Sequence, residues 1–236
     1  MILQLSDPHI GAPDGDPEGD LARAVARARE LAPAPDVVLV SGDLAEHGAP
    51  EEYARVRELL HDLGAPVLAL PGNHDDTATL RAAFPETRHE GGPVRVLTMD
   101  SRRPGRDDGA LGPEKLAQLD AELADGDGRP AIVALHHPPI ATGMPFLDDI
   151  GLDAADAEAL GAIAARRRVV RIVAGHVHMP AHGMLGATPV LTCPSTWRLR
   201  ARLRLGAPGY EIEDAPAGFA LHVPAGGGLT SHVVTL

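Results

Sequence analysis

Cysteine is almost missing from this chain. Cys193 stands alone among 236 residues, which excludes an intrachain disulfide and a thiolate metal cluster. A lone thiol of this kind is read as a buried packing residue, and the lack of bridges predicts a reducing, cytoplasmic setting. Aromatic residues make up 3%, so a base-binding pocket rich in rings is not expected. No apolar run approaches the length that crosses a bilayer. Met1 to Leu5 meets Asp7 too soon to be a signal peptide. Basic charge is in deficit, with 21 Lys plus Arg against 33 Asp plus Glu, a net −12. Nucleic acid calls for a Lys/Arg footprint, so neither nucleic acid nor an anionic membrane surface is an expected partner. An anionic substrate would need another source of positive charge, and bound metal ions are one.

What is present is a globular composition, 44% apolar, long enough for a sizeable core. Neither an internal repeat nor a clear linker divides the chain, so residues 1–236 are read as one domain. Short apolar runs at 2–5, 37–40, 67–70, 94–97, 132–135 and 169–173 predict strands. Between them, apolar residues recur at helical spacing: Leu21, Val25, Ala28 and Leu31/Ala32; then Tyr53, Val56, Leu60 and Leu63; then Leu116, Leu119 and Leu123; then Leu160 and Ile163. Pro50 suits the first turn of a helix and Gly64 suits a stop. Strands alternating with helices imply an α/β architecture, with ligands bound beyond the carboxyl ends of the strands. Residues 189–191, 220–223 and 232–236 predict further strands, the last two joined by the turn at Gly226, Gly227 and Gly228. With the intervening loop, residues 189–236 are expected to complete the second sheet. The stretch from Arg198 to Ala217 is irregular and charged, and reads as a cap over the site or a loose link.

The residues just after these strands carry the chemistry. Asp7 and His9 follow the first, Asp43 the second, Asn73 and His74 the third. His136 follows the fifth, and His176 and His178 the sixth. All offer oxygen or imidazole, and none is Lys or Arg. Each piece has a bland reading: Asp-x-His is a turn, Gly-Asp a turn or helix cap. His-x-His is more specific, because two imidazoles that close often share or bridge metals. His137 reads as a packing or supporting residue. His47, His61, His89, His182, His222 and His232 lie outside this pattern and read as surface or loop residues. The conjunction at one end of the strands is what points to a metal site.

The series Asp7/His9, Gly42-Asp43, Gly72-Asn73-His74-Asp75, His136 and Gly175-His176-Val177-His178 resembles the calcineurin-like metallophosphoesterases. Leu5-Ser6-Asp7, Ser41-Gly42-Asp43-Leu44, His136-His137-Pro138-Pro139, Asp149-Ile150-Gly151-Leu152 and Pro194-Ser195-Thr196 resemble its class III branch of bacterial cyclic-nucleotide and glycerophosphodiester phosphodiesterases. The resemblance implies a four-layer αββα sandwich of two mixed sheets. It implies two transition metal ions, Mn, Fe or Zn. Asp7, His9 and His178 would bind one, Asn73, His136 and His176 the other, and Asp43 would bridge them. Four positive charges against the two of Asp7 and Asp43 would leave the centre net positive, able to draw a small phosphoester to an acidic protein. A metal-bridging hydroxide would attack phosphorus, and His74 would protonate the leaving alkoxide. Asp75 would orient an imidazole or cap the turn. A phosphomonoesterase or protein phosphatase on the same scaffold is the alternative, and a non-catalytic adaptor a more distant one. The purple acid phosphatase pattern has Tyr three residues after the bridging Asp, where this chain has Glu46. Residues 102–108, 142–148 and 197–210 are candidate walls. Within them Phe146 and Trp197 are read as packing residues rather than base-stacking ones. Oligomeric state has no signature in the sequence.

Overall fold

The computed structural model describes residues 1–236 apart from Ala32, Gly126 and Gly227. The expected end of the first apolar stripe at Ala32 and the middle of the glycine turn at Gly227 lie outside the described residues. Strand and helix alternate through the first part: β1 (Ile2–Leu5), α1 (Pro17–Arg29), β2 (Val37–Ser41), α2 (Pro50–Leu60), β3 (Val67–Leu70), α3 (Thr77–Ala83), β4 (Arg88–His89), β5 (Arg95–Thr98), α4 (Gly112–Ala124), β6 (Ala131–Ala134), α5 (Pro145–Asp149), α6 (Ala154–Arg166) and β7 (Val169–Ala174). Strands alone follow: β8 (Ala181–Leu185), β9 (Thr188–Thr192), β10 (Leu199–Ala201), β11 (Ile212–Asp214), β12 (Gly218–Ala225) and β13 (Gly228–Thr235).

The strands form two mixed sheets, ordered β13-β12-β1-β2-β3 and β4-β5-β6-β7-β9-β8. Alternation along each strand divides its side chains between two cores. Leu3, Leu5, Val38 and Val40 face helices, meeting Leu21, Val25, Tyr53, Val56 and Leu80. Ile2, Val37, Leu39 and Leu68 face the other sheet, meeting Val96, Ile132, Ala134 and Val173. Beyond that sheet, Val133, Leu135 and Ile172 meet Leu116 and Leu119 of α4 and Leu160 and Ile163 of α6. Helix, sheet, sheet, helix is the four-layer sandwich the resemblance implies. Each fully buried Leu, Ile or Val in these cores contributes roughly 1.5–3 kcal/mol.

Local chemistry sets the helix ends. Asp16 accepts from the Gly19 amide at 3.0 Å, so α1 starts at Pro17, one turn before Leu21 opens its apolar stripe. Gly64, at φ 62°, ends the 3-10 turn that extends α2. The five-residue α5 is too short to show a period. The C-terminal strands do not complete one sheet, as the sequence reading had it. β9 pairs with β7, whereas β12 pairs antiparallel with β1 and extends the first sheet. β10 and β11 pair with each other, so the segment read as irregular forms a two-stranded arm.

His222 is also a correction, being fully buried rather than at the surface. Its Nε2–H donates to Gln4 Oε1 at 2.9 Å, and its Nδ1 accepts from the Ser231 hydroxyl at 2.8 Å. The Gln4 amide donates in turn to Ser41 Oγ and to the Ala174 carbonyl, tying the two sheets together. Burial, with Arg171 nearby, pushes the His222 pKa from 6.5 to about 3. The unfolded imidazole binds a proton below 6.5 and the folded one does not. This contribution to stability is therefore present above pH 6.5 and is lost as pH falls towards 3. Between pH 7 and 5 the wild type is expected to lose about 2 kcal/mol more stability than His222→Gln. Urea denaturation of both proteins at the two pH values measures it, and equal losses would refute the assignment.

Candidate metal centre

Five parallel strands stop at the same end of the sandwich and deliver the candidate residues. Asp7 and His9 follow β1, Asp43 follows β2, Asn73 and His74 follow β3, His136 follows β6, and His176 and His178 follow β7. The turns are strained where the chemistry lies. Asp7 (φ 50°), His9 (46°), Asp43 (50°), His176 (71°) and His178 (56°) adopt left-handed backbone, and among the described residues Asp127 alone joins them outside glycine. Each such residue costs roughly 1–3 kcal/mol and persists where the surroundings over-determine it. Here backbone bonds lock the loops: Asp7 N–H donates to the Gly42 carbonyl at 3.1 Å and His9 N–H to that of Asp43 at 3.0 Å. Gly42, at φ 98°, lies where an added Cβ would overlap His136 Nδ1, so that position needs glycine twice over.

The donor atoms converge. His9 Nε2 lies 3.1 Å from His178 Nε2, and His136 Nε2 lies 3.2 Å from both His176 Nδ1 and Asn73 Oδ1. Asp43 Oδ2 stands between the two sets, 3.6 Å from His9 Nε2 and 3.3 Å from His136 Nε2. Asp7 Oδ1 lies 3.7 Å from His178 Nε2. Asp7 with His9 and His178, and Asp7 with Asp43 and His136, form compact groups able to hold a cation. Two imidazole nitrogens facing each other share at most one proton, whereas a cation satisfies both lone pairs. The buried donor set therefore fits metal ions.

Three of the imidazoles are aimed by a second bond, whereas the buried His176 Nε2 has no partner among the described residues. His136 Nδ1–H donates to the Ser41 carbonyl at 2.9 Å, and His178 Nδ1–H to that of Leu199 at 2.9 Å. His9 Nδ1 bonds Glu46 Oε2 at 2.7 Å. Asp7 accepts from the His176 amide at 3.0 Å. Such partners fix which nitrogen faces the cluster. Burial opposes charge on His9, yet the Glu46 bond and the Asp43 and Asp7 carboxylates hold its pKa above the ordinary value. Burial likewise opposes charge on His136, but Asp43 prevails and its pKa rises to about 9. His176 and His178 are pushed down, foremost by burial. Two buried carboxylates thus demand positive charge in this cluster, and protons on two imidazoles supply it in part.

His74 is different. It stands beside the cluster, with 36% of its side chain exposed, and its amide donates to Asp43 Oδ1 at 2.9 Å. Its Nδ1 bonds the Glu46 carbonyl at 3.2 Å, which leaves Nε2 free. Asp75 orients no imidazole. It is buried and anchors the turn, accepting from Gly72, Leu44 and Ala45 amides and from Tyr53 Oη. His137 spends both nitrogens, on Ser101 Oγ and the Asp107 carbonyl, as a supporting residue should.

Residues 1–180, three-quarters of the chain, match the family model described as calcineurin-like phosphoesterase. The chain belongs to the calcineurin-like phosphoesterase family. It is 35% identical over 230 residues to a probable cyclic nucleotide phosphodiesterase of Synechococcus, covering 92% of this chain and 88% of that one. It is 31% identical over 216 residues to a glycerophosphodiester phosphodiesterase of Enterobacter lignolyticus, covering 83% and 77%. Among solved structures, the purple acid phosphatase of yellow lupin seeds matches with a TM-score of 0.68 over 93% of this chain. At 14% identity, and with this chain spanning about half of that one (48%), the likeness concerns the fold alone.

In this calcineurin-like phosphoesterase the structure adds residues that sequence reasoning missed. Glu46, noted only because it is not Tyr, holds His9 and lies 3.5 Å from His74 Nδ1. Ser195 Oγ donates to the Asp7 carbonyl at 2.7 Å and braces that loop from behind. The Trp197 ring lies 4.9 Å from that of His9. A cavity of about 510 Å³ opens over the cluster, and residues from all three candidate wall segments line it, Asp107, Phe146 and Tyr210 among them. Among the described residues no helix is long and apolar enough to cross a membrane.

Proposed function

We propose that this chain hydrolyses phosphodiesters at a two-metal centre. Asp7, His9 and His178 would hold one ion and Asn73, His136 and His176 the other, and Asp43 would serve both. The position of Asp43 Oδ2, at 3.3 and 3.6 Å from imidazoles of the two sets, carries this reading. An anionic carboxylate oxygen has lone pairs enough to be shared by two cations, while Oδ1 stays with the His74 amide. Imidazole with carboxylate and amide oxygen suits Mn, Fe or Zn. Bound there, the ions would supply the positive charge for an anionic phosphate and acidify a water for attack on it.

The chain's own residues then have separate tasks. Ser41, Glu46 and Leu199 aim the imidazoles. Asp7 and Asp43 set the charge of the centre. His74, tethered through Nδ1, presents Nε2 to the cavity and hands a proton to the departing alkoxide, whose own pKa is too high for unaided departure. Trp197 closes the side of the site next to His9. Diester hydrolysis is preferred over monoester hydrolysis because relatives at 35% and 31% identity bear phosphodiesterase names and the cluster's motifs are complete. The buried Cys193 fits the cytoplasmic setting read from the sequence.

The test is reconstitution of metal-stripped protein with Mn, followed by assays on bis(p-nitrophenyl) phosphate, p-nitrophenyl phosphate and cyclic AMP. Diester turnover is expected to exceed monoester turnover by about tenfold or more, and chelation to abolish both. A faster monoester reaction, or turnover indifferent to metal removal, overturns the reading.

A further inference from the structure

One flank of the cavity has a chemistry of its own. Leu199, Ala201 and Ile212 on the β10–β11 arm face Phe146 and Ile150 around α5, with Tyr210 between. The wall is preformed. Phe146 and Tyr210 stack with ring centroids 4.2 Å apart, inclined 27°. The Gly206 amide ties the arm's tip to the Gly143 carbonyl at 2.9 Å. The arm's base holds His178 through the Leu199 carbonyl, so the wall and the donor cluster share one support. Yet its side chains stand uncovered: Phe146 is 36%, Tyr210 49% and Ile212 59% exposed. Apolar groups gathered beside a polar centre gain from a ligand that covers them. Carboxylates outnumber Arg and Lys among the described lining residues. Asp14, Glu46 and Asp107 line the cavity, and the one Arg among the described lining residues, Arg200, is engaged by Glu213 at 3.1 Å.

We infer that this flank seats an uncharged, flat apolar group on an ester oxygen of the substrate, an aromatic ring or a base, and so selects which diesters are bound. The inference rests on the phosphodiesterase reading and names the substrate class of the same site. A substrate with a further anionic group on that arm meets the carboxylates of Asp14 and Asp107 and, among the described lining residues, no Arg or Lys without a carboxylate partner.

Symmetric diesters test it without regard to which ester oxygen departs. Diphenyl, dimethyl and bis(4-carboxyphenyl) phosphate are measured as ligands of the Mn-loaded protein in two ways. One is inhibition of bis(p-nitrophenyl) phosphate hydrolysis. The other is the fluorescence of Trp197, the only tryptophan of the chain. Diphenyl phosphate is expected to bind about tenfold more tightly than either of the others, the selectivity of a partly covered apolar pocket. In Tyr210→Ala/Ile212→Ser, two exposed positions outside the cores, the ratio of diphenyl to dimethyl affinity falls to near one while dimethyl phosphate binds as before. Equal binding of the three by the wild type, or a ratio kept by the double variant, overturns the inference. If hydrolysis is absent but the fluorescence ratio holds, the phosphodiesterase reading fails and the selector stands.

Discussion

Replacing Asp43 by Asn is expected to empty both metal positions and to lower diester hydrolysis by about a thousandfold or more. The substitution is nearly isosteric, so its effect is one of charge and lone pairs. Asp43 Oδ1 already accepts from the His74 amide at 2.9 Å, and Oδ2 stands between His9 and His136. An amide keeps one oxygen for two tasks and turns a donor towards whichever side its nitrogen faces. It also leaves Asp7 as the one carboxylate of the compact Asp7, Asp43 and His136 group. The buried cluster then offers less negative charge to a cation that has given up its water. The measurement is metal content per chain after Mn loading and dialysis, with hydrolysis of bis(p-nitrophenyl) phosphate beside it. Full occupancy of two ions, with activity within about tenfold of wild type, would sink the shared-ligand assignment. Circular dichroism checks that the sandwich, whose cores do not include this residue, is intact.

The candidate ligands were legible because their chemistry is written in residue type and position. An imidazole, amide or carboxylate directly after a buried apolar run needs no long-range information to be noticed. Gly42 and Gly72 announced the turns that carry them. The helix-sheet-sheet-helix order was legible for the same reason, since Leu21, Val25, Tyr53 and Val56 repeat with the helical period and the strands do not. What escaped was fixed by contacts distant in sequence. Glu46 acts by reaching His9, 37 residues away, and nothing local marks it. His222 is paired with Gln4, 218 residues away, so a histidine in an apolar strand read as a surface residue proved to be a buried support of the Gln4 side chain that joins the two sheets. The β10–β11 arm escaped because its pattern is ionic. Arg198 meets Asp214 at 2.8 Å, Arg200 meets Glu213 at 3.1 Å and Arg204 meets Glu211 at 2.5 Å. Leu199 to Leu205 in fact alternates apolar residues with Arg, a period-two strand signal that the density of charge concealed. Phe146 escaped differently: a lone aromatic is more often core than site, yet here it is half-exposed at the cavity mouth.

For His74→Ala the expected result depends on the leaving group. Alkyl diesters, whose alkoxides depart poorly, should lose roughly 10²–10⁴-fold in kcat, the range that a positioned proton donor supplies. Bis(p-nitrophenyl) phosphate should lose less than about tenfold, since p-nitrophenolate leaves without a proton. Metal content should not change. That last expectation discriminates between two roles, because His74 also forms a compact group with His9 and Asp43 that could hold a cation. Three features favour the proton donor. Its side chain is the exposed one of the cluster. Its Nδ1 is spent on the Glu46 carbonyl, which directs the remaining nitrogen away from the loop. Its ring meets that of His9 edge-on at 4.8 Å, beside the donor set rather than within it. If alkyl and nitrophenyl esters suffer equally while the metals stay bound, His74 positions substrate instead. If a metal is lost with the imidazole, it is a ligand, and the proton must come from elsewhere.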